Sequence, residues 1–156
     1  VRIEVERCAS PTDDARALVG ELEEVLAAGY PPEQRHGLSL EAIFQPHIHF
    51  FVARVDGAAA GCGGVALFDG FAEVKRMYVR PASRGRGVAE ALLGRIEQRA
   101  RAAGLSRLCL ETGDRQLAAM RLYARAGFSL GPAFGDYLKM PKASVATSVF
   151  FEKILR

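Results

Sequence analysis

Apolar and polar residues change their period along the chain, and those changes mark its elements. Val1 to Arg7 alternates, with Ile3 and Val5 on one face, and reads as a first strand. From Asp13 to Ala28 the spacing becomes helical, with Ala15, Leu18, Leu22, Val25 and Leu26 recurring on one face and Thr12 placed to cap the start. Gly29 and the Pro31-Pro32 pair end this helix, because proline removes a backbone donor and restricts the residue before it. A shorter helix falls within Ser39 to Gln45. The period then drops to that of strands. His49 to Val55 is apolar and rich in β-branched and aromatic residues, Asp56-Gly57 signals a hairpin, Ala58 to Phe68 returns, and Asp69-Gly70 turns the chain into Phe71 to Val79. The simplest arrangement of these segments is an antiparallel meander.

Beyond Val79 helices and strands alternate. Gly87 to Ala103 carries Val88, Leu92, Ile96 and Ala100 one turn apart and closes near Gly104. Leu105 to Glu111 reads as a buried strand, Gln116 to Arg125 as a helix closed by Gly127, and Val145 to Ile154 as a last strand after a less regular stretch. A meander followed by strand, helix, strand and helix predicts an α/β (α+β) fold, a mixed, mostly antiparallel central sheet flanked by helices. No repeat, linker or low-complexity segment divides the chain, so one domain over residues 1–156 is expected.

Composition narrows this picture without changing it. A hydrophobic content of 49% supports a sizeable core, and the net charge of +3 is too small to argue for nucleic acid. The longest apolar stretch, Gly57 to Phe68, is interrupted by glycines and is shorter than the ~20 residues that cross a bilayer. The opening VRIEVERCAS reads as a strand rather than a secretory signal, so a cytoplasmic location without membrane association is expected. Cys8, Cys62 and Cys109 are far apart and odd in number, the pattern of reduced core thiols and not of a metal site or disulfide framework.

The sharpest chemical feature is VRPASRGRGVA, Val79 to Ala89, a strand entering a basic, glycine-rich loop that opens directly into a helix. A helix start exposes unpaired amides at the positive end of its dipole and binds phosphate without a dedicated side chain. Gly85 and Gly87 let an anion approach the backbone, while Arg84 and Arg86 add donor forks suited to phosphate oxygens. The loop lacks the Gly-Lys-Ser/Thr ending of a P-loop. It also lacks the third glycine of a dinucleotide fingerprint, since Glu90 occupies that place.

Three segments resemble the GNAT superfamily of N-acetyltransferases: AEVKRMYVRPASRGRGVAEALL from Ala72 to Leu93, LCLETG from Leu108 to Gly113, and LYARAGF from Leu122 to Phe128. Arg84, Gly87 and Ala89 match the family's loop pattern. The resemblance implies an acyl-CoA N-acyltransferase-like fold and binding of acetyl-CoA, with the pyrophosphate held by the amides of Arg84, Gly85, Arg86, Gly87, Val88 and Ala89. It also implies that the pantetheine arm runs between two splayed parallel strands, bonded by backbone groups around Met77, Tyr78 and Val79. Gln116 stands where many relatives carry Asn. The longer amide keeps its donors and acceptor, so contact with the arm is expected with altered geometry.

The chemistry implied is acetyl transfer to a primary amine, a small molecule or a peptide, by direct attack in a ternary complex. An ammonium group of pKa near 10.4 must lose its proton first, which costs roughly 4.6 kcal/mol at pH 7. Glu73 is the expected base, since the family often has glutamate at this place, and strand phasing puts Glu73, Lys75, Met77 and Val79 on one side. Burial among apolar neighbours would strengthen it as a base, whereas a partner such as Lys75 or Arg76 would make it structural. Tyr123 resembles the family tyrosine that protonates the departing thiolate. Glu111 and Thr112 are further acceptor contacts to consider, and Glu21 to Glu24 with Glu41 would attract a cationic acceptor if they line its entrance. His36, His47 and His49 suggest a metal set, but His47 and His49, on one strand face by alternation, have no nearby Asp, Glu or Cys as a third ligand, so no metal is expected.

Two other readings remain open. A noncatalytic module could retain the coenzyme pocket as a sensor, and an Arg-Gly loop could bind nucleic acid with steep salt dependence. Neither nucleic acid nor membrane is the expected partner, and a homodimer is compatible with the family.

Overall fold

Thr12 fixes where the first helix begins. In the computed structural model, which describes residues 1–156, its Oγ1 accepts a hydrogen bond from the Ala15 amide at 3.2 Å and opens α1 (Asp13–Gly29). Asp13 and Asp14 lie in the first turn, where negative charge suits the helix dipole. Ala15, Leu18, Val19 and Leu22 are buried, whereas Val25, further along the same face, is exposed. The short helix expected near Ser39 is a single 3-10 turn, Ala42–Phe44, whose Ala42 amide donates to Ser39 Oγ at 3.2 Å.

The meander is β1 (Ile3–Cys8), β2 (Ile48–Val55), β3 (Ala58–Leu67) and β4 (Ala72–Val79), all antiparallel neighbours. Asp56 and Gly57 take φ of 48° and 89°, the left-handed pair that a two-residue hairpin turn requires. β5 (Arg107–Gly113) then lies parallel to β4, followed across the sheet by β7 (Ser148–Ile154) and the short β6 (Ser129–Leu130), giving the order β1-β2-β3-β4-β5-β7-β6.

Adjacent residues of β2 serve opposite faces, as strand geometry demands. Phe50 and Val52 pack with α1 around Leu18, Val19 and Ile43, whereas Phe51 and Ala53 pack with α2 (Val88–Ala102) around Leu92, Leu93 and Ile96. Leu92 and Ile96 are completely buried, worth ~1.5–3 kcal/mol each in area removed from water. α3 (Leu117–Arg125) joins the α2 face through Tyr123.

Two boundaries differ from expectation for local reasons. β5 begins at Arg107 rather than Leu105, because Gly104 turns left-handed at φ 78° and the Leu105 amide reaches back to the Ala100 carbonyl, which makes Leu105 part of the α2 cap. The last strand begins at Ser148 rather than Val145, and a 3-10 segment, Gly135–Lys139, precedes it.

Candidate active site

β4 carries the irregularity on which the site is built. The pairing with β3 steps from Gly64↔Lys75 to Cys62↔Tyr78, leaving Gly63 opposite both Arg76 and Met77. Arg76 has φ 56°, rare for a non-glycine residue, and the extra residue reverses the strand's alternation. Glu73, Lys75, Met77 and Val79 therefore do not share a side as simple phasing predicts. Met77 and Val79 join Ala72 and Val74 against the α2 core, while Arg76 and Tyr78 turn toward α1.

The same strand parts from β5. Their ladder consists of Ala72↔Leu108 and Glu73↔Cys109 and then stops, so the β4 edge beyond Glu73 has no strand partner on the β5 side. The fork opens into a cleft that passes from α1 to α3, lined by Glu73 to Met77, Leu110 to Gly113, Gln116, Ala119, Tyr123 and Tyr137.

Past the C-terminal end of β4 comes the basic loop. Gly85 and Gly87 adopt φ of 75° and 88°, which an L side chain rarely tolerates. The first helical bond of α2 runs from the Ala91 amide to the Gly87 carbonyl, and the amides of Gly85 through Glu90 have no backbone acceptor. The Arg84 Nε closes the loop on the Val79 carbonyl at 3.2 Å. These free donors and the unpaired strand edge fit the phosphate and amide-bearing arm of acetyl-CoA. The loop itself does not line the cleft.

Inside the cleft Glu73 is 5% exposed and doubly held: Tyr137 Oη donates to its Oε2 at 2.8 Å, and Lys75 Nζ lies 3.1 Å from the same oxygen. Burial and the Glu73 charge push the Tyr137 hydroxyl far up, so it stays a donor. Glu111, on the facing strand, accepts from Ser148 Oγ at 2.6 Å. Burial raises its pKa above the ordinary carboxyl value despite that bond and the nearby His36 and Lys75. Burial also pushes the Tyr123 hydroxyl well up. Its ring is packed edge-on to Phe128 and tilted against Phe151.

The fork thus brings Glu73, Met77, Gln116 and Tyr123 together, with Glu111 and Thr112 beside them. The Tyr78 side chain is elsewhere, bonded to Glu21 at 3.1 Å, so only its backbone faces the β4 edge. The acidic residues of α1 do not guard the entrance. Glu21 is engaged by Arg80 and Tyr78, an arrangement that lowers its pKa chiefly through the Arg80 hydrogen bond, and Glu23 is engaged by Arg76. His47 rests on Phe68 and His49 accepts from Arg99, whereas His36 lies in the cleft with its Nε2 2.7 Å from the Ser144 carbonyl. No three His, Cys, Asp or Glu side chains are arranged to hold a metal. All three cysteines are free and buried, and burial raises Cys62 to about 12 and Cys109 to about 11, which leaves both as unreactive thiols.

Sequence reasoning missed Tyr137, Tyr30 and Arg35. Tyr137 sits in the 3-10 segment, where neither helical nor strand periodicity marks an inward position. Tyr30 caps α1 with its amide and accepts from the Arg115 amide through its hydroxyl at 2.8 Å, bridging α1 to the turn between β5 and α3.

A sheet forked at a bulged strand, with a glycine-rich helix start beyond it, is the acyltransferase arrangement, and the acetyltransferase (GNAT) family model matches residues 15–128. The chain belongs to the GNAT family of acetyltransferases. It is 44% identical over 149 residues to the IAA acetyltransferase of Azospirillum brasilense, covering 94% of each chain. A Klebsiella pneumoniae structure described as an acyl-CoA N-acyltransferase superposes with a TM-score of 0.76 at 33% identity, covering 99% of this chain and 98% of the other. PaiA N-acetyltransferase from Thermoplasma acidophilum, solved with coenzyme A, shares the fold at a TM-score of 0.74 and 18% identity over 99% of both chains. No helix is long and apolar enough to cross a membrane.

Proposed function

We propose that the protein transfers an acetyl group from acetyl-CoA to a primary amine by direct attack in a ternary complex. The observation that carries this reading is the pair of unpaired backbone surfaces in one stretch of chain, the β4 edge beyond Glu73 and, past the turn at Pro81–Ser83, the free amides of Gly85 through Glu90. That pair matches a ligand with an amide-bearing arm and a pyrophosphate. When bound, acetyl-CoA supplies the thioester carbonyl to be attacked.

The residues of the cleft divide the proton work. Lys75 and Tyr137 both hold Oε2 of Glu73, yet the residue still lines the cleft, and its carboxylate takes the proton of the incoming ammonium. Tyr123 keeps its proton through burial and donates it to the departing thiolate from α3, across the fork. No thiol lines the cleft, in keeping with direct transfer rather than an acetylated cysteine. Calorimetry with acetyl-CoA, followed by a mass-resolved screen of an amine panel, tests the reading. Binding with amine-dependent product supports it. Binding without turnover on any amine would instead favour a sensor.

A further inference from the structure

Most charged side chains around the cleft are paired within the protein. Lys75 is paired with Glu73, and Arg76, whose side chain is 3% exposed, with Glu23. Arg35 and Glu111 are the exceptions. Arg35 has only Glu23, 4.0 Å away and already engaged by Arg76, and its Nε is buried without a hydrogen-bond partner. Glu111 forms no ion pair and is held by the neutral Ser148 hydroxyl alone. Arg76 Nη1, also in the cleft wall, is a second buried donor without an acceptor.

A buried guanidinium N–H without an acceptor, and a desolvated carboxylate without a cation, both cost free energy that a ligand of opposite charge recovers. One unmatched cation and one unmatched carboxylate line the same cavity but belong to different walls, Arg35 to the segment after α1 and Glu111 to β5. We propose that the acceptor is a zwitterion of amino-acid type, its carboxylate bound by Arg35 with help from Arg76 and its amine drawn to Glu111. The proposal rests on the acetyltransferase reading above and names its substrate class. A carboxylate fits better than a phosphate dianion, because one cation and not two lacks a partner. It accounts as well for the cleft's balance of charge, which a simple cationic amine would leave with Arg35 unanswered.

The test uses acetyl-CoA with the twenty standard amino acids, their carboxamides and the amines that correspond to loss of the carboxyl group. At least one amino acid should be acetylated, with its carboxamide and its decarboxylated amine poorer by roughly ten- to a hundredfold in kcat/KM, as loss of a charged hydrogen bond implies. Arg35→Gln should raise KM for that amino acid by a similar factor, leave the affinity for acetyl-CoA unchanged and narrow the gap between acid and carboxamide. Arg35→Lys should restore part of the discrimination. Equal or better turnover of the neutral-ended amines overturns the proposal, as does a chain that binds acetyl-CoA and acetylates other amines but no amino acid. Failure to bind acetyl-CoA at all would instead remove the acetyltransferase reading on which it stands.

Discussion

Tyr137 and Glu73 lie 64 residues apart and meet in one 2.8 Å hydrogen bond inside the sheet's fork. Lys75 Nζ reaches both, at 3.1 Å from the carboxylate and 3.4 Å from the phenol oxygen. The carboxylate is thereby oriented within the cleft. Tyr137 acts through Glu73 as a positioning residue. Removing its hydroxyl with Tyr137→Phe keeps the ring against Phe134 and Phe150 but withdraws the hydrogen bond that aims Glu73. The kcat should fall by about tenfold while the KM for the acceptor and the affinity for acetyl-CoA are unchanged, as expected when only the aim of the base is lost. An unchanged kcat would show that Tyr137 only packs.

Glu73 itself is tested by Glu73→Gln. The change preserves size and deletes the base, so turnover should fall by about 10²-fold or more at neutral pH, where the acceptor amine is charged. Raising the pH supplies neutral amine and should recover part of the loss. Identical pH profiles for the two proteins would remove Glu73 from the proton path and turn attention to Glu111.

How the site was legible follows from how its parts are encoded. The loop from Arg84 to Ala89 could be read because glycine pairs and helix starts are local. The companion elements, α3 with Tyr123 and the β5 end with Glu111, followed from periodicity. The bulge at Arg76 was not readable, since a non-glycine residue at φ 56° leaves no mark in hydrophobic spacing and yet reverses every side chain after it. Tyr137 was hidden for another reason: its role depends on a contact 64 residues away, reached through an irregular segment. The acidic face of α1 misled because its charges are visible in the sequence, whereas their partners Arg76 and Arg80 become neighbours only when β4 packs on α1.

Gly87 tests the coenzyme loop, with a refinement from the geometry. Only Ile3 Cδ1, at 3.8 Å, is near the place of an added Cβ, so the obstacle is the φ of 88° and not crowding within the fold. Gly87→Ala should cost about 1–2 kcal/mol of stability from the left-handed backbone. It should also weaken acetyl-CoA and coenzyme A together, because both use the same amides. Calorimetry on the folded variant checks this, and a loss of stability with both affinities intact would take Gly87 out of the binding loop.

Glu111 makes a prediction about stability. Its carboxyl titrates higher when folded than in the unfolded chain, where it lies near ~4.3, because burial opposes the charge. Between those two values the folded protein holds more protons than the unfolded one, so this group lowers stability progressively as pH rises through the window and by a constant amount above it. Glu111→Gln removes that dependence while its amide oxygen can still accept from Ser148. The stability of the variant relative to the parent should therefore increase from pH 4 toward neutrality, measured by denaturant unfolding at each pH. A difference that stays flat, or that falls with pH, would contradict the buried, unpaired carboxylate.

Tyr123 separates the end of the reaction from its beginning. Its ring is held by Phe128 and Phe151 in the α2 core, and its hydroxyl makes no hydrogen bond within the chain. Tyr123→Phe should accordingly leave the fold and the affinity for acetyl-CoA nearly intact. Burial keeps the phenol protonated across the working range, the condition for a donor. Losing it should slow thiolate departure by about 10²-fold when that step limits the reaction. An acyl donor whose thiol has a lower pKa leaves without help, so the defect should shrink with that donor, whereas the Glu73→Gln defect should not. Rapid-mixing measurement of the chemical step with both donors distinguishes the two residues. Equal rates in parent and variant, or a defect indifferent to the leaving group, would make Tyr123 a packing residue at the cleft wall and leave the thiolate to be protonated from solvent.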